Sequence, residues 1–416
     1  MINYKKYFLL FEGVADTVNK HLTHLEELIL TNKKEGAERA INYLTSMAQV
    51  LDSDTPKSVN TNIKYDGAPA VVVGKDPNGN FFVGSKSVFN ATPKINYSIE
   101  DIKKNHSQAP GLVDKLVQTF VHLKDSNIDS VYQGDFLFDQ EIKETNTIDG
   151  EEHVIFKPNT IVYAIPTDSE EGQKVLNAEV GIVFHTEYNV ELDENNVPRF
   201  ETKKFGVDVR NFKVSPKVYV KDADFESDAG YITLTNEESE KIADVINTSK
   251  EMIQQINFED VPDNIFTSLN TYINTEIRQG EFLAKPDVSY QQYIEWFTSK
   301  LDKKIESYKT EKGKAKANEA KQALLSMLSS QKDNILKIFN LQIQIKQGKD
   351  IFIEKWNNIM REVQLKHYLF NDDGDLIPTN PEGYVAVDIT GNAIKFVDRL
   401  EFSRANFSID KSKKFK

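Results

Sequence analysis

The sequence predicts an α+β protein built on antiparallel sheets, with an N-terminal helical segment and a large all-helical insertion. Three observations predict this class. Apolar residues recur every three or four positions from Asp16 to Leu51. Between Asn62 and Thr235 short β-type runs alternate with turn residues, and from Asn236 to Phe370 helical spacing returns. Strand texture then resumes from Gly383 to Phe402. Two isolated strands are marginal by themselves, so the economical arrangement has the late pair complete the earlier sheet. The resulting divisions are 1–54 (helical), 55–235 (α+β, first part), 236–377 (helical insertion), 378–410 (last strands) and 411–416 (basic tail).

The elements follow in order. Val18, Leu22, Leu25, Leu28 and Ile29, then Ala37, Ala40, Ile41, Leu44 and Met47, read as two helices broken near Asn32–Gly36. The run from Ile63 to Gly74 and that from Phe81 to Phe89 read as a hairpin turning at Asp76-Pro77-Asn78-Gly79-Asn80, where Gly79 is free to take positive φ. Further strands are expected at 130–138, 153–156, 160–165, 180–188 and 200–207, with a helix over 111–124. Leu324, Leu328, Ile335, Ile338 and Ile345 carry heptad-like spacing, and Trp296 and Trp356 are most simply core. Asn371-Asp372-Asp373-Gly374-Asp375 reads as a β-turn rather than half of a calcium loop.

Composition narrows the function. The chain has 416 residues, a net charge of −13 and no cysteine. Disulfide scaffolds, thiolate metal sites and cysteine nucleophiles are excluded. The negative total disfavours a polyanion-binding surface overall but leaves room for a local basic groove. Residues 300–350 hold 12 Lys against 6 Asp plus Glu. They fit a solvated face laced with i, i+4 pairs, or a nucleic-acid contact. The apolar run within Met1–Gly13 is short, and no stretch reaches about 18 uninterrupted apolar residues, so no membrane span and a cytoplasmic location are expected.

One constellation carries chemistry. Lys64-Tyr65-Asp66-Gly67 opens the hairpin, and Ser85-Lys86 lie on its return strand. Gln133-Gly134-Asp135-Phe136-Leu137-Phe138, Val180-Gly181-Ile182-Val183-Phe184, Pro381-Glu382-Gly383-Tyr384-Val385 and Ala393-Ile394-Lys395-Phe396-Val397 follow. In this order the segments resemble motifs I, Ia, III, IIIa, IV and V of the covalent nucleotidyltransferases: ATP-dependent DNA and RNA ligases and mRNA capping enzymes. The N-terminal helices also resemble those of tailed-phage proteins carrying a KxDGAPA motif, which for a phage-encoded chain implies the host cytoplasm.

The resemblance implies a ligase-like nucleotidyltransferase (adenylation) domain. It implies ATP as nucleotide donor and Mg2+ or Mn2+ as cofactor. Lys64 is the implied nucleophile, forming a lysyl–NMP. Asn62, Ile63, Asp66, Gly67, Lys86, Phe184, Glu382 and Lys395 are the implied nucleotide-binding positions, with Phe184 stacking on the base. Asp135 and Glu382 are the implied metal ligands, since hard carboxylate oxygens suit these ions. An amine attacks only when neutral, so neighbouring cations and burial must lower the lysine pKa from ~10.4.

Departures from the pattern shape the expectation. Asp135 stands where the family more often has Glu, Lys86 where it has a fork-bearing Arg, and Ala393 where it often has a second lysine. About twenty residues follow Lys395, too few for an OB-fold, so none is expected. The favoured acceptor is an RNA 5′-phosphate, giving RNA end joining, with RNA or DNA meeting the lysine-rich helices near 300–350. The alternatives are a non-catalytic ligase-fold binding protein, or transfer of NMP to a protein or small molecule. His21 and His24 with Glu26 and Glu27 could form a metal cluster, but read more simply as a helix surface; His185 reads as a structural histidine rather than a ligand contact.

Overall fold

A computed structural model describes residues 22–51, 59–225, 233–371, 373–388 and 392–401. The apolar repeat near the N-terminus folds as a 3-10 turn, Leu25–Glu27, running into helix α1 (Leu28–Val50). The expected break lies at Lys33, whose φ of 52° interrupts the helix. Val18 and His21 lie outside the described residues, as does the tail 411–416.

The α+β part contains β1 (Val59–Lys64), β2 (Ala70–Lys75), β3 (Phe81–Gly84), α2 (Ile99–Asn105), α3 (Pro110–Leu123), β4 (Val131–Asp139), β5 (Lys143–Ile148), β6 (Glu151–Phe156), β7 (Val162–Pro166), α4 (Glu170–Asn177), β8 (Val180–Leu192), β9 (Pro198–Phe205) and β10 (Val218–Asp222). The β2–β3 hairpin turns as expected: Asn78 and Asn80 donate backbone N–H groups to the Asp76 carboxylate, and Gly79 takes φ 82°. Helices α5 (Asn236–Gln255), α6 (Asp263–Arg278), α7 (Pro286–Ser307), α8 (Glu311–Ser330) and α9 (Lys332–Met360) follow, then β11 (Lys366–Phe370), β12 (Leu376–Pro378), β13 (Gly383–Asp388) and β14 (Ala393–Phe396).

These strands form three sheets. The first is β1-β13-β14, antiparallel, with Lys64 opposite Gly383 and Val385 opposite Lys395. The second is β10-β8-β4-β2-β3, with β9 also bonded to β8 and only the β10–β8 pair parallel. The third is β12-β11-β7-β6-β5.

The structure corrects the expected layout in three places. The run from Ile63 to Gly74 is not one strand: it leaves the first sheet at Lys64 and enters the second at Ala70, so the late strands pair with β1 rather than with the hairpin. The helices stop at Met360, and β11, within the expected insertion 236–377, and β12, across its end, extend the third sheet beside β7. Strands β5 and β10 and helices α2 and α4 stand where the sequence pattern predicts no element. Strand β5 (KETNTI) is an edge strand with four exposed residues, so it lacks apolar alternation. The turn at 371–375 joins β11 to β12, with Asp375 donating its backbone N–H to Asn371 Oδ1 at 2.8 Å; Asp372, Thr390 and Gly391 lie outside the described residues.

One apolar core joins α1, the helices α5–α9 and the first and third sheets. Trp356 of α9, fully buried, packs on Tyr384 of β13 and Phe396 of β14 at ring distances of 4.8 and 5.4 Å. Truncating an aromatic at such a place costs about 3–5 kcal/mol, so the helices brace the first sheet. A second core, under α2 and α3, covers one face of the second sheet. No helix among the described residues is long and apolar enough to cross a membrane.

Candidate active site

Lys64 is the last residue of β1, and the segment Tyr65–Pro69 carries the chain from the first sheet to the second. Asp66 anchors this crossing. Its carboxylate accepts hydrogen bonds from Asn159 Nδ2 (2.7 Å) and from the backbone N–H groups of Thr160 (2.7 Å) and Ile161 (2.9 Å), and its own N–H donates to the Tyr163 hydroxyl at 2.6 Å. Ala68 N–H donates to the Phe136 carbonyl and Phe136 N–H to the Pro69 carbonyl, which lays the crossing over β4. A Cβ on Gly67 would stand 2.5 Å from Asp135 Cβ, so only glycine permits this approach.

Charged groups gather around the crossing. The Lys64 ammonium contacts the Glu382 carboxylate, which directly precedes β13 and is almost entirely buried. Burial pushes the Glu382 carboxyl above its ordinary range; Lys64 opposes this, while Asp66 and Asp135 add to it. Asp135 of β4 is pushed up to about 6, by burial first, with Lys64 and Lys86 pulling the other way. Lys395 of β14 is held below the usual lysine range by burial, then by Lys64, against the attraction of Glu382 and Glu27. The exposed Lys86, at the start of a 3-10 turn after β3, acts on Asp135, His185 and Lys395. The motif residues Lys64, Lys86, Asp135, Glu382 and Lys395 therefore face one region between the first and second sheets.

Other expected site residues lie elsewhere. Phe184 is fully buried and packs against Tyr132 and Phe212 under the second sheet. Strand alternation puts Phe184, opposite Gly134, on the face away from Asp135. The base-stacking expectation for Phe184 is therefore corrected: its ring is core. The Asp66 carboxylate is held by the loop between β6 and β7, where it anchors the crossing. Gly67 makes its close approach to β4. Asn62 lies two residues before Lys64 and so shares its face, whereas Ile63, 2% exposed, points into the core.

His185, next after Phe184, lies on the Asp135 face. Its Nε2 stands 3.7 Å from Asp135 Oδ2, and its Nδ1 is 2.7 Å from Thr186 Oγ1. Burial, then Lys64 and Lys86, lower it to about 4, so the ring is neutral at pH 7 and the contact is not an ion pair. The expectation of a purely structural His185 thus gives way to a histidine beside the site, a position that counting along an alternating strand from Phe184 would have suggested. Glu26 and Glu27 are bound to Lys349 and Arg399, so the metal cluster considered around His24 is an ion-pair network instead. In the one group of three clustered acids among the described residues, Asp114, Asp139 and Glu141, Lys115 pairs with Asp114 and Asp139. In the lysine-rich stretch, Lys314, Lys321, Lys337 and Lys346 pair with Glu311, Asp302, Asp333 and Asp350, as a solvated helical face would.

An α+β protein with three largely antiparallel sheets and a lysine–carboxylate cluster between two of them is thus defined. Residues 19–411 match the family of unknown function DUF6267, and the chain belongs to that family. No curated protein matches the chain, and no solved structure does.

Proposed function

We propose that the protein is a nucleotidyltransferase that takes NMP from ATP onto Lys64 and passes it to an acceptor. The observation that supports this reading is the meeting of Lys64 with Glu382, near Asp135 and Lys395, on strands from opposite ends of the chain. In the first step the neutral Lys64 amine attacks the α-phosphorus. The N–P bond forms, the bond to the bridging oxygen breaks, and pyrophosphate leaves. The Lys64 ammonium must shed one proton before attack and the attached nitrogen another afterwards, both to water. Lys395, on β14 beyond β13, can neutralise charge on the α-phosphate.

Asp135 and Glu382 fit a divalent cation. Glu382 is buried and Asp135 half-buried, and burial disfavours the ionised form of each, which a bound cation would offset. They would hold Mg2+ or Mn2+, which supplies charge stabilisation on the phosphates. In the second step an oxygen of the acceptor, an RNA 5′-phosphate in the favoured case, attacks the phosphorus, and the N–P bond breaks to restore the Lys64 amine.

The test is incubation with α-labelled ATP and Mg2+ or Mn2+, followed by denaturing electrophoresis. An acid-labile label on the protein that Lys64→Ala abolishes supports the reading. Label persisting in that variant rejects Lys64 as nucleophile, and nucleotide binding without label favours a binding protein.

A further inference from the structure

Behind Lys395 lies a row of charges of alternating sign. Lys349 of α9 places Nζ 2.8 and 2.9 Å from the two Glu26 oxygens and donates to the Val397 carbonyl at 3.0 Å. Glu26 lies 3.6 Å from Arg399 Nη1, and Arg399 Nη2 lies 2.8 Å from Glu27. Glu27 in turn attracts Lys395, which attracts Glu382, the partner of Lys64. Lys349, Glu26 and Arg399 are 0, 1 and 6% exposed. A buried triad of this kind commonly adds less stability than apolar side chains of equal volume, so its effect is sought in position rather than in stability.

The backbone ties the same parts together. Lys395 N–H donates to the Thr23 carbonyl at 3.1 Å, and His24 bridges Lys395 as a short parallel pairing. Gln342 of α9 donates to the Glu26 carbonyl at 3.4 Å. The 3-10 turn Leu25–Glu27 is therefore clamped between α9 and β14, and Glu27 Oε2 accepts the backbone N–H of His24 at 3.3 Å, which sets its carboxylate on the residue paired with Lys395.

We propose that Glu27 is a positioning residue for Lys395, held in place by the Lys349–Glu26–Arg399 triad, so that the N-terminal turn and the helical insertion take part in the site. The proposal rests on the nucleotidyltransferase reading for its consequence in catalysis, but not for its geometry. The charged and titratable groups acting on Lys395 are Lys64 from β1, Lys86 after β3, Glu382 before β13, and Glu27 and His24 from the turn. Glu27 favours the ammonium form. Without its charge, Lys395 loses its proton at lower pH.

The test is competitive acetylation of the full chain, without nucleotide, across pH 6–11, with each lysine resolved by mass spectrometry. Wild type, Glu27→Gln and the charge-retaining Glu27→Asp are compared, and melting is followed in parallel. The amide oxygen of Gln can still accept one of the two bonds, from the Arg399 guanidinium or from the His24 N–H, which keeps the fold testable. In Glu27→Gln the Lys395 midpoint should fall by ~0.5 pH unit or more, with Lys64 less affected, and Glu27→Asp should restore most of it. The alkaline limb of lysyl–NMP formation should move to lower pH by the same amount. An unchanged Lys395 midpoint in Glu27→Gln, or an equal shift in Glu27→Asp, overturns the proposal. A shifted midpoint with no label in any protein supports the placement of Glu27 and rejects the nucleotidyltransferase reading instead.

Discussion

Lys64 and Glu382 touch at the first paired position of β1 and β13, where Lys64 stands opposite Gly383, although 318 residues separate them in the chain. The contact couples the amine to a buried carboxylate whose ionised form depends on it. Replacing the amine while keeping the charge isolates its chemistry. Lys64→Arg preserves the cation at Glu382, but a guanidinium is never neutral near pH 7. Its melting temperature should stay within a few degrees of wild type, while label transfer from ATP falls by at least about 1000-fold, ~4 kcal/mol of barrier.

Asp135 offers a pH-dependent test. Its folded-state pKa, about 6, lies above the ordinary 3.8, so ionising it costs more in the folded chain than in the unfolded one. The penalty is absent below about pH 4, develops between about 4 and 6, and is complete above that range. The side chain keeps 23% exposure, so the penalty is discounted to about 2 kcal/mol. Asp135→Asn should therefore melt a few degrees higher than wild type at pH 7.5 and no higher at pH 3.5, while losing metal-dependent labelling. Thermal melts at the two pH values check the first part.

Asp66 should behave as a structural residue. Asp66→Ala strands the N–H groups of Thr160 and Ile161 and the amide of Asn159, each left without its acceptor. A loss of about 3–5 kcal/mol is expected from breaking three bonds to one buried carboxylate. Urea denaturation measures it directly.

The pair Phe184 and His185 separates core from site. Phe184→Ala empties a fully buried ring position and should cost about 3–5 kcal/mol. His185→Ala should leave denaturant midpoints nearly unchanged but weaken ATP binding, measured by calorimetry with the Lys64→Ala protein to prevent turnover. Equal destabilisation by both would place His185 in the core as well.

The legible part of the site was the part written in short local motifs. Lys64, Lys86, Asp135, Glu382 and Lys395 were each visible beside a glycine, a serine or a strand, and their order carried the resemblance. Phe184 misleads because its ring falls opposite Gly134, on the face away from Asp135, and the cross-strand register that decides this is not written in either strand alone. Much of the fold was legible where periodicity was strong, as in α3 and β8, and illegible where a strand sits exposed at an edge, as in β5. The Glu26–Lys349 pair spans 323 positions and has no local signature at all.

The pairing of β1 with β13 also sets a clock on biosynthesis. At roughly 5–20 residues per second, Lys64 is added to the chain about 16 to 64 seconds before Glu382. During that interval the nascent chain displays the amine without the carboxylate that meets it, and β1 waits as an unpaired edge. Messages cut short anywhere before the codon for Glu382 would therefore yield polypeptides that carry the reactive lysine yet cannot assemble the pocket around it.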